Sequence, residues 1–105
     1  MGKHRAYSIV GVKIMRIPLS QAISECSNFA DLCTTASLIL QRADHVYRVL
    51  NEDHCIYIFM VSLGVFSGIY VVQESNNNDG STYNLVSVPQ GYANLTEDQI
   101  ATLES

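Results

Sequence analysis

The sequence predicts an α+β domain in which helices pack on one face of an antiparallel β-sheet. An uncharged stretch, Cys55–Gln73, is rich in β-branched and aromatic residues and is typical of buried strands. A turn-forming run, Asn76–Gly80, follows it and indicates a hairpin. Upstream, apolar residues recur at helical spacing. The chain of 105 residues has room for one domain, 1–105, and its 48% apolar and 15% charged residues exclude a disordered chain.

The first half reads as a strand followed by two helices. β-Branched residues in Ala6–Ile17 predict a strand, which Pro18 ends. A short helix reaches Cys26, and Ser27–Asp31 forms a break with Asn28 or Ser27 as the cap of the next helix. That helix is expected to continue to Leu50. Its apolar face comprises Leu32, Ala36, Ile39, Leu40, Ala43, Val46, Tyr47 and Leu50.

The second half reads as three strands. Ile56–Val61 and Val65–Val72 are predicted strands joined by a turn at Ser62–Gly64, and Thr82–Val88 is the third. The first two are apolar on both faces, so Ile58 is expected in a packed core.

A short helix is expected to close the chain. Thr96 and Gln99 fit a capping box, with Ile100 and Leu103 facing inward. The predicted order of elements is therefore β-α-α-β-β-β-α.

The stretch Cys55–Gln73 also has the length of a membrane-spanning helix. Tyr57 and Tyr70 lie near its ends, Gly64–Gly68 forms a GxxxG pattern, and every Lys and Arg precedes it. Against this reading, the hairpin that follows needs a partner strand, and a helix in lipid would leave the rest of the sheet without one. The soluble sheet is the favoured interpretation, and a single-pass membrane protein is the alternative.

Charge and cysteine content restrict the partners. Six basic and three acidic residues precede residue 49, which gives about +3, and seven acidic residues follow it, which gives −7. The net charge of −4 argues against strong nonspecific nucleic-acid binding. Cys26, Cys33 and Cys55 form an odd set without a CxxC motif, which indicates reduced thiols in a cytoplasmic protein.

Neither a metal site nor a catalytic site is predicted, and no cofactor is implied. Cys26 and Cys33 on one helix would lie about 10 Å apart, whereas two thiolates on one zinc lie within about 4.6 Å. This spacing argues against a zinc site completed by His54 and Cys55. A cysteine nucleophile, Cys33 or Cys55 with His45 or His54 as its base, would need a thiol of lowered pKa. Nothing in the sequence indicates such a thiol.

Basic residues supply the candidate binding site. Arg42, His45 and Arg48 recur three apart and would form a stripe on the exposed polar face of the second helix. Lys13 and Arg16 on the first strand would extend this stripe. Such a surface suits a phosphate or an acidic partner.

Three classes of function follow. The leading hypothesis is a small soluble binding or regulatory protein that acts through protein–protein interaction, including homodimer formation; accessory and inhibitor proteins of phages and mobile elements have this profile. The second is a ligand-sensing domain or small enzyme with a pocket between sheet and helices, lined by the hydroxyls of Tyr57, Tyr70 or Tyr83. The third is a membrane protein that spans residues 55–73.

Overall fold

The described residues form a six-stranded antiparallel sheet with three short helices. The computed structural model describes residues 8–9, 12–27, 34–52, 54–92 and 97–104. Each strand pairs with its neighbour in sequence, in the order β1 to β6. The α+β class and the antiparallel sheet are thereby confirmed. The elements are β1 (Ser8–Ile9), β2 (Val12–Ile17), α1 (Leu19–Glu25), α2 (Thr34–Leu40), β3 (Ala43–Asn51), β4 (His54–Val61), a 3₁₀ turn (Gly64–Phe66), β5 (Gly68–Asn77), β6 (Gly80–Ser87) and α3 (Glu97–Glu104).

The uncharged stretch forms two strands and the turn between them. Ile56 of β4 lies opposite Gln73 of β5, and Val61 lies opposite Gly68 at the other end of the pair. The prediction of two strands is confirmed, and the single-helix alternative for this stretch is wrong. Within the described parts of the chain, no helix is both long enough and apolar enough to cross a bilayer.

The prediction of a long second helix is wrong. Helix α2 ends at Leu40, a turn follows at Gln41 and Arg42, and strand β3 begins at Ala43. Val46 of this strand lies opposite Ile17 of β2 and Phe59 of β4. Val46, Tyr47 and Val49 are residue types that pack well on a pleated sheet, and pairing with two neighbouring strands outweighs the helical spacing of the apolar residues.

Other expectations hold in part. The segment predicted as one strand, Ala6–Ile17, contains β1 and β2, and β5 begins at Gly68 rather than Val65 because the 3₁₀ turn precedes it. Strand β5 also continues to Asn77, so the loop expected from Gln73 to Ser81 is shorter than predicted.

In the predicted hairpin, Asn77 pairs with Gly80 and the two residues between them form the turn, while Gly80 has a φ of +115° that favours glycine. The terminal helix is present as α3. Several expected features lie outside the described residues: the caps at Asn28 and Thr96, Cys33, and the side chains of Ile100 and Leu103.

One face of the sheet is buried, and we call it the core face. Its side chains share one core cluster with Ala22 of α1 and with Ile39 and Leu40 of α2. The sheet residues of this cluster are Ile17, Val46, Tyr57, Phe59, Val61, Tyr70, Val72 and Tyr83.

The alternate side chains of β2 to β5 form a second apolar surface, which we call the open face. Its most accessible members are Ile69 at 51% exposure, Ile14 at 41% and Met60 at 37%. Ile58 lies on this face and is half-buried, so its placement in a packed core was wrong. Antiparallel sheets commonly have only one covered face. The open face comprises Ile14, Tyr47, Val49, Ile56, Ile58, Met60, Ile69 and Val71.

Gly68, at the start of β5, allows Pro89 to approach the sheet. Its φ is +149°, and a Cβ at this position would lie 2.6 Å from Cγ and 2.7 Å from Cβ of Pro89. We expect Gly68→Ala to lower the free energy of unfolding by about 2–3 kcal/mol, because the new methyl group adds overlap to backbone strain. Urea denaturation measures this loss.

Gly64→Ala is the matched control. Gly64 also has a positive φ, +54°, but a Cβ there would meet nothing within 4 Å. This variant should lose only about 1 kcal/mol. Adding Pro89→Gly to Gly68→Ala should restore part of the stability, and equal losses in the two alanine variants would contradict the steric explanation.

Candidate interaction surface

The structure divides the predicted basic stripe between different surfaces. Arg42 lies in the turn after α2, where its Nη1 donates to the carbonyl oxygen of Leu38 at 2.7 Å. His45 and Arg48 lie on β3, and residues three apart on a strand point to opposite faces. Lys13 is exposed on β2. The helical placement of this stripe is therefore wrong, while a binding role for the individual residues stays a prediction.

Arg16 and His45 do come together, at one edge of the open face. Nη2 of Arg16 donates to Nδ1 of His45 at 2.6 Å. Nδ1 accepts a hydrogen bond only in a neutral ring whose proton is on Nε2. The pair thus adds a polar rim to the apolar surface.

Arg48 belongs to a polar cluster on the core face. Its side chain is only 22% exposed, and Nη1 donates to both carboxylate oxygens of Glu25 at 3.0 and 2.9 Å. Tyr57 and Gln21 also donate to Glu25, at 2.5 and 2.8 Å. The expected solvent-exposed position of Arg48 is therefore wrong.

The hydrogen bonds in this cluster control the ionisation of Glu25. Burial alone would raise the pKa of Glu25, but hydrogen bonds from Tyr57, Gln21 and Arg48 outweigh burial, and the pKa lies below its ordinary value. The carboxylate is thus ionised and paired. The negative charge of Glu25 is paired with Arg48 within the fold.

The three tyrosines proposed to line a pocket are core residues. The hydroxyl of Tyr57 donates to Glu25, that of Tyr70 to the carbonyl oxygen of Phe66, and that of Tyr83 to Glu74. Burial together with the nearby Glu74 carboxylate raises the pKa of Tyr83 to about 12. These hydroxyls are therefore committed to partners within the chain.

The two described cysteines show no activation. Burial raises the pKa of Cys26 to about 12, and burial also raises the pKa of Cys55. A protonated thiol is a poor nucleophile and a poor metal ligand. In the part of the chain that the structure describes, no three His, Cys, Asp or Glu side chains are grouped to hold a metal ion.

The open face is the surface that sequence reasoning missed. Strand register aligns Tyr47, Ile58 and Val71 in one row, with Val49 and Ile56 adjacent in the next. Four strands at a spacing of about 4.8 Å and roughly 20 Å of strand length give an area on the order of 400 Å². An apolar patch of this size on a single chain is often functional. The alternation of Tyr47 and Val49 with Arg48 was the signal that could have revealed it.

Comparison of the chain with protein-family models, with curated proteins and with solved structures finds no match. The open face and its rim must therefore be interpreted from their own geometry and chemistry. The relevant features are its apolar character and a few polar groups at one edge.

Proposed function

We propose that this chain is a small regulatory protein that binds another protein through its open face. The observation that carries the proposal is the continuous set of apolar side chains on β2 to β5 that faces away from the core. At roughly 25 cal/mol per Å², covering about 400 Å² of apolar surface supplies on the order of 10 kcal/mol. That is comparable with the cost of association, which is about 4–15 kcal/mol.

The apolar rows and the rim charges of the open face suit a partner that presents an apolar face of its own. A sheet face presents its side chains in parallel rows, and a second sheet packs against such rows at about 10 Å. Arg16 and the exposed Asp44 give the rim one charge of each sign, which favours a partner with complementary charges at its own edge. The partner would therefore be a protein surface with an apolar centre and a charged margin.

The polar groups on the core face support binding over catalysis. Arg48 is paired with Glu25, and Tyr83 donates to Glu74, so these groups stabilise the fold. Reduced thiols at Cys26 and Cys55 favour a cytoplasmic setting for this activity.

Site-specific photo-crosslinking in cells that naturally make the protein tests the proposal. A benzophenone amino acid at Ile69 or Ile14 is expected to yield a discrete adduct with one other protein, identified by mass spectrometry. The control position is Val65, which is 76% exposed but lies in the 3₁₀ turn, off the open face. Adducts only with the chain itself, no adducts, or the same products from Val65 would contradict the proposal.

A further inference from the structure

We propose that in the free protein the open face is covered by the open face of a second copy, in a two-fold symmetric dimer of stacked sheets. This inference rests on the proposed function, because it names an occupant for the same surface. A partner protein would then have to displace the second copy. Dimer formation would thus regulate access to the binding site.

The layout of the apolar side chains suits two-fold symmetry. They form a band that runs from Ile14 on β2 to Ile69 on β5, with Tyr47 and Ile58 near its centre. A two-fold interface brings the same patch of both subunits together. A two-fold axis that passes through this centre and lies along the band places the band of one copy directly over the band of the other. Apolar side chains of the two copies therefore meet. Sheets stacked in this way pack with strands within about 30° of each other.

Several acidic side chains lie away from the open face, which reduces the repulsion between two copies. Two chains of net charge −4 repel each other unless their acidic groups lie away from the contact. Glu25 and Glu74 face the core side, and Asp79 lies in the β5–β6 turn. Arg16 and the exposed Asp44, in the bulge beside His45, give the rim one charge of each sign. A two-fold axis along the band places this rim opposite the margin of the other copy near Gln73, so Arg16 of one copy does not face Arg16 of the other.

The available area predicts a weak dimer. About 400 Å² of apolar surface per copy gives roughly 800 Å² in total, and polar rim residues bring the buried area to about 1,000–1,200 Å². This lies just below the range of about 1,200–2,000 Å² for stable specific interfaces, where weak and transient complexes are found. We expect a dissociation constant on the order of 1–100 μM, low enough for dimers in concentrated solution and high enough for displacement by a partner.

Sedimentation velocity over a concentration range of about 1 μM to 1 mM tests the inference. The unmodified chain is expected to change from monomer to dimer within this range. Ile58→Asp and Ile69→Asp should each weaken dimer formation by about 100-fold or more, because a two-fold interface contains every substitution twice. Val65→Asp introduces the same charge at an exposed apolar position off the open face and should leave the dissociation constant unchanged.

Two further measurements separate loss of the dimer from loss of the fold. Circular dichroism reports whether each variant is folded, and Ile69→Asp is the safer variant because Ile69 is the more exposed residue. Methyl NMR signals of Ile69 and Ile14 in the unmodified chain should shift with concentration, while those of Val65 should not.

The outcomes distinguish the dimer from the proposed function. A chain that stays monomeric to about 1 mM, while Ile69 still crosslinks to another protein, would overturn the dimer and support the proposed function. A dimer that withstands both aspartate substitutions would show that another surface holds it and would overturn the inference. A monomer without crosslinks would overturn both.

Discussion

Phe59→Asp is expected to abolish folding, whereas the same change at the adjacent Ile58 should give a folded chain. Phe59 is fully buried on the core face, opposite Val46 and Tyr70. An unpaired carboxylate at this position costs several kcal/mol, in addition to about 3–5 kcal/mol for the lost aromatic ring. A typical domain has only about 5–15 kcal/mol of stability.

Ile58→Asp places its carboxylate on the open face, where water can solvate it. Its cost should be about 1 kcal/mol, the usual size for a substitution outside the core. Circular dichroism and the dispersion of amide NMR signals measure both outcomes. If the two variants behaved alike, the assignment of the core face and the open face would be wrong.

Glu25→Gln is expected to lower the free energy of unfolding at pH 7 by about 2–3 kcal/mol. The carboxylate accepts hydrogen bonds from Arg48, Tyr57 and Gln21, and the glutamine amide cannot accept all of them. Arg48 would keep its charge in a mostly buried position without an anionic partner, which is the costly part of the change. Urea denaturation gives the loss directly.

The same carboxylate makes stability depend on pH. The pKa of Glu25 in the fold lies below the ordinary value of 4.5, so its contribution is fully present above about pH 4.5 and is lost as pH falls through the folded pKa. Between pH 7 and pH 3, Glu25→Gln should therefore lose less stability than the unmodified chain. The control is Glu52→Gln, in the exposed β3–β4 turn, which should follow the unmodified chain. Parallel curves for all three proteins would contradict this account.

Local patterns were sufficient to predict most of the sheet. Pro18 ended β2 where expected, and Asn76–Gly80 located the β5–β6 turn, because these residues restrict the backbone directly. The uncharged stretch was correctly divided into strands, since its β-branched and aromatic residues favour a pleated sheet. In these segments local preference and tertiary structure agree.

The segment Ala43–Asn51 was misassigned because its residues fit two periods. Val46, Tyr47 and Leu50 match a helical repeat, yet Tyr47 and Val49 also alternate with Val46 and Arg48 as a strand requires. Pairing with β2 and β4 decides between these structures, and that information is not local. The error moved Arg48 from a supposed exposed stripe into an ion pair with Glu25.

The open face was not predictable for a related reason. Residues of β4 alternate between the core face and the open face, yet Ile58 and Phe59 are both apolar. Hydropathy therefore cannot tell a strand covered on both faces from one covered on a single face. Only the number and position of the packed helices, which are short here, determine what is left uncovered.

The order of the strands has a consequence for how the chain folds. Among the described strands, four of the five pairings join segments separated only by tight turns or short connections, and the β2–β3 pairing is the one that encloses helices α1 and α2. Closing short loops costs little entropy. This topology favours growth by successive hairpins from β3 to β6, with β2 added last across the longest connection, and it keeps the contact order low for a protein dominated by β-structure.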